Sequence, residues 1–346
     1  MNNNRTKVTE RSAGKTVGGL IVAFVLALAI VATSQAASVV MTNSDALGNS
    51  SFNSVGQWNP GIAPSAGNTF STGGWLLRSP TTVGNYTFAG DSLTVGGGSG
   101  AAVFSPVSAN NNSFIAKIGG GSTFSANWIL DGSQIRDGLG NGDNYTIGGT
   151  IAVTANGGAF LCQATQNVAA AISGSSIIYI GDHGAGNNSN RIVNIQSALN
   201  TFTGNVELTN TANNAWQSLL TFAPGSLWNF VPTANGVNNS IFGTGTLHLG
   251  GNLAINLTGA DNTVGDAWQL IAPITGSFNA YYDPTFGING FTQSGMQWSE
   301  NANGVTYVFD ETTGALTVVP EPSAFALLGA GLGLGTLLLR RKHNRA

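Results

Sequence analysis

Gly245-Thr246-Leu247-His248-Leu249-Gly250-Gly251-Asn252-Leu253-Ala254-Ile255-Asn256-Leu257 carries apolar side chains at alternate positions on either side of a glycine pair. Period two is the repeat of extended chain, so Leu247, Leu249, Leu253, Ile255 and Leu257 fall on one face and His248 on the other. Glycine-led units of the same kind stand upstream: Gly90-Asp91-Ser92-Leu93-Thr94-Val95, Gly149-Thr150-Ile151-Ala152-Val153, Gly204-Asn205-Val206-Glu207-Leu208 and Gly225-Ser226-Leu227. The later units return after roughly 20 to 30 residues, the size of one solenoid coil. The expectation is an all-β chain whose body, residues 37–259, is a right-handed parallel β-helix. Apolar side chains would stack inward, with Gly and Asn at corners of positive φ, which reconciles 49 glycines with a substantial core. A β-sandwich or jelly roll is the alternative architecture for short alternating strands.

After residue 260 the pattern changes. Trp268-Gln269-Leu270-Ile271, Gly290-Phe291 and Met296-Gln297-Trp298 read as antiparallel strands, and Tyr307-Val308-Phe309 and Leu316-Thr317-Val318 form a hairpin around Asp310 to Gly314. Residues 260–318 are therefore expected to cap the last coil and cover its open edge. Only 8% of the chain is charged and no long amphipathic helical stretch occurs, which excludes helix-rich enzymes and coiled coils. Between residues 37 and 318, Arg78, Lys117, Arg136 and Arg191 stand against 13 carboxylates. A body so acidic lacks the basic stripe that binding to phosphates requires, so nucleic acid is not an expected partner.

The remaining basic residues gather at the two ends. Arg5, Lys7, Arg11 and Lys15 precede the apolar run Leu20 to Ala32, which is followed by Thr33-Ser34-Gln35-Ala36. A basic start, a short apolar core and small residues before a cut after Ala36 make the three parts of a secretory signal peptide over residues 1–36. Ala324 to Leu339 is a second apolar run, closed by Arg340, Arg341 and Lys342. As a helix its 16 residues would extend about 24 Å, enough for a thin bilayer, with the basic cluster held on the cytoplasmic side as a stop. The secretion translocon and, transiently, the inner membrane are thus expected partners.

Between body and helix lies Val319-Pro320-Glu321-Pro322-Ser323, where two prolines keep the backbone extended and remove two N–H donors. Here the chain resembles the PEP-CTERM family of bacterial exported proteins, in Pro320, Glu321 and Pro322, the apolar run, and Arg340, Arg341 and Lys342. The likeness covers the tail, residues 319–346. It implies a sorting signal that a membrane-embedded exosortase recognises and removes or exchanges at the cell surface, in Gram-negative bacteria that make exopolysaccharide. The stretches Gln57-Trp58-Asn59-Pro60, Trp75 to Pro80 and Tyr86 to Val95 are similar to autotransporter-type β-strand repeats of surface proteins.

Candidate chemistry is sparse. Cys162, beside Phe160 and Leu161, reads as a buried small apolar residue, and a lone cysteine leaves no intramolecular disulfide. His183 in Gly181-Asp182-His183-Gly184 reads as a polar turn, and His248 and Glu207 as outward side chains without a partner in sequence. Asp131, Asp137, Asn141, Asp143 and Asn144 offer oxygen atoms in a glycine-rich segment but match no calcium-loop spacing. No catalytic residue, metal ligand or cofactor is assigned. The expected function is an exported surface or matrix protein, structural or associated with exopolysaccharide in biofilm; a secreted polysaccharide lyase or hydrolase is the alternative.

Overall fold

The computed structural model describes residues 37–96, 113–116, 120–138, 144–162, 164–181, 191–209, 218–275 and 277–320. They form an all-β protein of short strands, with a single turn of 3-10 helix at Leu257–Gly259. The expected signal helix with Ala36, the expected transmembrane helix, Glu321, Pro322, Arg340, Arg341, Lys342 and His183 lie outside the described residues. Among the described residues no helix is long and apolar enough to cross a membrane.

The principal sheet runs through Ala37–Met41, Asn68–Ser71, Ser92–Gly96, Ser122–Asp131, Tyr145–Val153, Thr165–Val168, Ile192–Ile195, Leu219–Phe222, Gly245–Leu249 and Phe278–Tyr282, each parallel to the next. A second parallel sheet takes the alternate strands Leu77–Arg78, Ser113–Ala116, Ser133–Asp137, Gly158–Leu161, Ile177–Gly181, Asn205–Leu208 and Ile241–Gly243. A third joins Leu227–Phe230, Asn252–Ile255 and Gly287–Ile288. Most successive strands thus go to different sheets, and each sheet grows as the chain circulates, although Asn85–Thr87 and Ala171–Ser173 pair into the principal sheet beside their neighbours in sequence. This parallel pairing does not match the antiparallel ladders of a β-sandwich or jelly roll.

The register follows from the alternation. Thr165, Ile192, Leu219 and Thr246 are successive partners, each 27 positions after the last. Ile192–Ile195 and Leu219–Phe222 bury their second and fourth side chains, and Gly245–Leu249 its alternate ones, so Val193, Leu220 and Leu247 form one inner column and Ile195, Phe222 and Leu249 another. Burying one such side chain contributes about 1.5–3 kcal/mol, and stacking identical positions lets strands too short to stand alone share a continuous core. Slipping by one residue would turn every one of these side chains to solvent.

The corners work differently from the expectation. Many glycines have positive φ, but among the described residues Asn303 is the one non-glycine residue that does. Corner asparagines instead bind backbone. Buried Asn200 accepts from the Ile172 N–H at 2.8 Å and donates to the carbonyls of Ser197 and Leu227, tying three circuits together. Asn239 does the same with Val231, Gly204 and Asn229. Buried turns leave main-chain groups that need partners, and a side-chain amide supplies both kinds.

Toward the C-terminal side an antiparallel sheet appears in the order Ala267–Gln269, Ala315–Val319, Val305–Asp310, Gln297–Ala302, Thr292–Ser294. Parallel pairing nevertheless continues past residue 260 through Phe278–Tyr282 and Gly287–Ile288, interleaved with it. Aromatic rings join the two systems: Tyr282 meets Phe286 and Phe309, and Phe286 meets Trp298 edge-on at 5.4 Å. At the other end Phe52, Trp58, Phe70, Phe88, Phe114, Phe124 and Trp128 make a continuous aromatic cluster.

Candidate functional site: the root of the C-terminal tail

Ala315–Val319 is the last strand, and it lies inside the antiparallel sheet between Ala267–Gln269 and Val305–Asp310. Leu316 and Val318 are buried, Leu316 directly between Trp268 and Phe309 across the two ladders. The Val318 N–H donates to the Asp266 carbonyl and its carbonyl accepts from the Gly265 N–H. Val319, opposite Thr306, is the final paired residue among those described. Pro320 follows half-exposed; it has no N–H to extend the ladder and its ring fixes φ, so pairing stops at the Val319–Pro320 bond. An open groove of about 450 Å³ runs beside this strand, lined by Asn238, Ser240, Trp268, Gln269 and Ala315 among others.

Other candidates are dispersed. Cys162 is buried, as expected of a small apolar residue. Around it, however, lies a polar interior that alternation does not announce: Asp137, Tyr145 and Gln166 are all buried, and Tyr145 and Gln166 are register partners. Burial first, then the charge of Asp137 and the nearby Cys162, push the Tyr145 hydroxyl well above its ordinary value. A phenol locked neutral and sealed from solvent has no acid–base role near neutrality. The Tyr145 hydroxyl and both amide atoms of Gln166 have no hydrogen-bond partner among the described residues.

Of the glycine-rich oxygen cluster, Asp131 accepts from Thr154 and Asn156, both at 2.7 Å, while Asp137 turns inward and accepts from the Ala164 N–H at 3.1 Å. The Asn144 side-chain oxygen accepts from the Thr165 N–H. Asp137 and Asn144 thus meet the adjacent N–H groups of Ala164 and Thr165 while Asp131 has other partners, Asn141 and Asp143 lie outside the described residues, and no group of three or more His, Cys, Asp or Glu side chains placed to hold a metal occurs among the described residues.

Glu207 and His248 do face outward, but each has neighbours that only the register supplies. Glu207 stands between Tyr179 and Phe242 on the second sheet, and burial together with its charge raises the Tyr179 hydroxyl above its usual value. His248 stacks on Tyr281, and its Nδ1 lies 3.8 Å from an Asp283 carboxylate oxygen, too far for a hydrogen bond. Tyr281 and Asp283 escape the sequence reading because they sit on the next circuit. The only signal for them is polar and aromatic residues at outward positions of strands whose pairing has to be known first.

No curated protein matches the chain. A family model does match its end, the PEP-CTERM protein-sorting motif, over residues 318–342. The match begins at Val318, within the last strand, and continues through the proline pair, the apolar run and the basic cluster. The chain therefore carries, from its last described strand onward, the sorting motif of an exported protein that an exosortase, a membrane enzyme, processes.

Proposed function

We propose that this protein is a structural, non-enzymatic component of the cell surface or extracellular matrix, associated with exopolysaccharide. Its body is read as a right-handed parallel β-helix, for which the in-register parallel sheets and the 27-residue spacing speak. Residues 1–36 act as a signal peptide cut after Ala36, and Ala324 to Leu339 holds the precursor in the inner membrane with Arg340, Arg341 and Lys342 inside. The autotransporter-like likeness of the N-terminal stretch fits the same destination.

The observation that carries the reading is the position of Pro320-Glu321-Pro322. A processing enzyme needs extended, unpaired chain, and the tripeptide begins where the Thr306–Val319 pairing ends. The folded body can therefore be separated from the tail without unravelling a strand. Changing Glu321 to Ala tests this in the native host. The expected outcome is accumulation of a membrane-bound precursor, detected by intact mass and fractionation; normal processing of Glu321→Ala refutes the proposal.

A further inference from the structure

An asparagine followed by glycine can close a ring on itself. The glycine nitrogen attacks the side-chain amide carbon, and with no Cβ on the glycine nothing shields the approach. Four such pairs lie among the described residues: Asn156-Gly157, Asn235-Gly236, Asn289-Gly290 and Asn303-Gly304. Closure needs the glycine N–H and the asparagine amide both released from hydrogen bonds. Three pairs are held. Asn156 donates its amide to Asp131 at 2.7 Å, and the Gly157 N–H donates to the Thr154 carbonyl at 3.0 Å. The Asn235 side-chain oxygen accepts from the Ala267 N–H at 2.9 Å, and the Gly236 N–H donates back to the Ala267 carbonyl at 3.0 Å. Asn303 donates its amide to the Leu257 carbonyl at 3.1 Å and to the Tyr307 hydroxyl at 3.3 Å. Asp131-Gly132 and Asp137-Gly138, which could close the same ring with loss of water, are also held, because both carboxylates accept hydrogen bonds and both glycine N–H groups donate to carbonyls.

Asn289-Gly290 differs. The pair occupies the centre of the turn from Ile288 to Phe291, where the Phe291 N–H donates to the Ile288 carbonyl at 3.1 Å and Gly290 has a φ of +85°. Both residues are exposed, and neither the Asn289 amide nor the Gly290 N–H has a hydrogen-bond partner among the described residues. The Asn289 backbone N–H, by contrast, donates to the Leu253 carbonyl at 2.9 Å, which ties the turn to the third sheet.

We propose that Asn289 is the site at which the folded protein deamidates spontaneously. The Gly290 nitrogen gives its proton to solvent hydroxide and forms a bond to Asn289 Cγ; the Cγ–Nδ2 bond breaks, and the nitrogen takes a proton from water and leaves as ammonia. Water then opens the succinimide ring at either carbonyl, giving aspartate or isoaspartate. Isoaspartate lengthens the main chain next to the Leu253 tie, and either product adds a negative charge to a turn that already has the Glu300 carboxylate beside Gly290. This goes beyond the surface reading above and does not rest on it.

The test warms the full-length protein in mild detergent at mildly alkaline pH and follows the peptides carrying the four pairs by mass spectrometry, with isoaspartate scored by enzymatic methylation. A parallel arm holds the chain in urea at the same pH. In the folded protein Asn289 converts about threefold to tenfold faster than Asn156, Asn235 and Asn303, the factor that breaking one hydrogen bond imposes. In urea that lead disappears, because β-branched Ile288 crowds Asn289 whereas an alanine precedes each of the other three. The proposal is overturned if Asn289 converts no faster than the others in the folded protein. It is equally overturned if the lead persists in urea, since local sequence and not the fold would then set it.

Discussion

A Cβ at Gly149 would fall inside the envelope of the Ala126 carbonyl oxygen, on the neighbouring strand, at a φ of +90°. Gly225 has a similar φ of +82° but nothing within 4 Å of the same position. Left-handed backbone alone costs a residue with a side chain about 1–2 kcal/mol. Gly225→Ala should therefore lose about 1 kcal/mol and Gly149→Ala at least about 2 kcal/mol more, read from urea midpoints; equal losses would mean the strand contact is not tight. The interior polar atoms lead to an opposite sign. Gln166 occupies the inner column ahead of Val193, Leu220 and Leu247, with neither amide atom paired. Gln166→Leu removes that desolvation penalty and should raise stability by about 1–3 kcal/mol; a lowered midpoint would reveal an ordered partner for the amide. At this scale the sequence is legible wherever alternation decides. His248 outward and Leu247 and Leu249 inward follow from period two, whereas the burial of Cys162 follows from its apolar neighbours Phe160 and Leu161, both buried as well. Gln166 is opaque for the same reason, because alternation assigns its face while nothing local says that a polar side chain will be tolerated there.

Strands in the middle of the body carry their own signature, and four-residue units repeating every 27 positions make the parallel stacking readable. The step from Gly245 to its partner Phe278 is longer, because Ala267–Gln269 joins the antiparallel sheet in between. That insertion hides Phe278–Tyr282 from any search for a fixed period, and with it the neighbours of His248. The final hairpin is legible because both of its strands and its turn are contiguous in sequence, from Val305 to Val319. Its energetic centre is Leu316, fully buried between Trp268 and Phe309. Leu316→Ala should destabilise the protein by about 2–4 kcal/mol through the lost methyl groups and the cavity they leave. Because the root of the tail lies on this strand, limited proteolysis near Val319 should accelerate in step. A lost midpoint without added cleavage would show that the strand holds the tail root through backbone pairing alone.

Across the whole molecule, charge separates export from architecture. Basic residues mark the ends and carboxylates mark the body, so the sorting motif is contiguous and recognisable, whereas the His248–Tyr281 ring stack joins strands 33 positions apart in sequence. The same low charge density leaves few groups to titrate, which puts the buried phenols in control at high pH. Burial is the leading cause that raises both Tyr145 and Tyr282 above the ordinary tyrosine value, with carboxylates adding to it: Asp137 for the first, Glu311 and Asp310 for the second. A raised folded-state value means their contribution to stability is complete below the unfolded value, near 10, and is lost as pH climbs through the window above it. In that window each buried phenol should subtract up to about 1.4 kcal/mol per pH unit, because the unfolded chain ionises and the folded one does not. Urea midpoints should thus be level between about pH 7 and 9 and fall steeply beyond about pH 10. Tyr282→Phe, which deletes the hydroxyl and keeps the ring against Phe286 and Phe309, should flatten that fall without changing the neutral midpoint by more than about 1 kcal/mol. An unaltered alkaline slope in the variant would mean that solvent reaches the Tyr282 hydroxyl and that the antiparallel sheet does not seal the last circuits of the body.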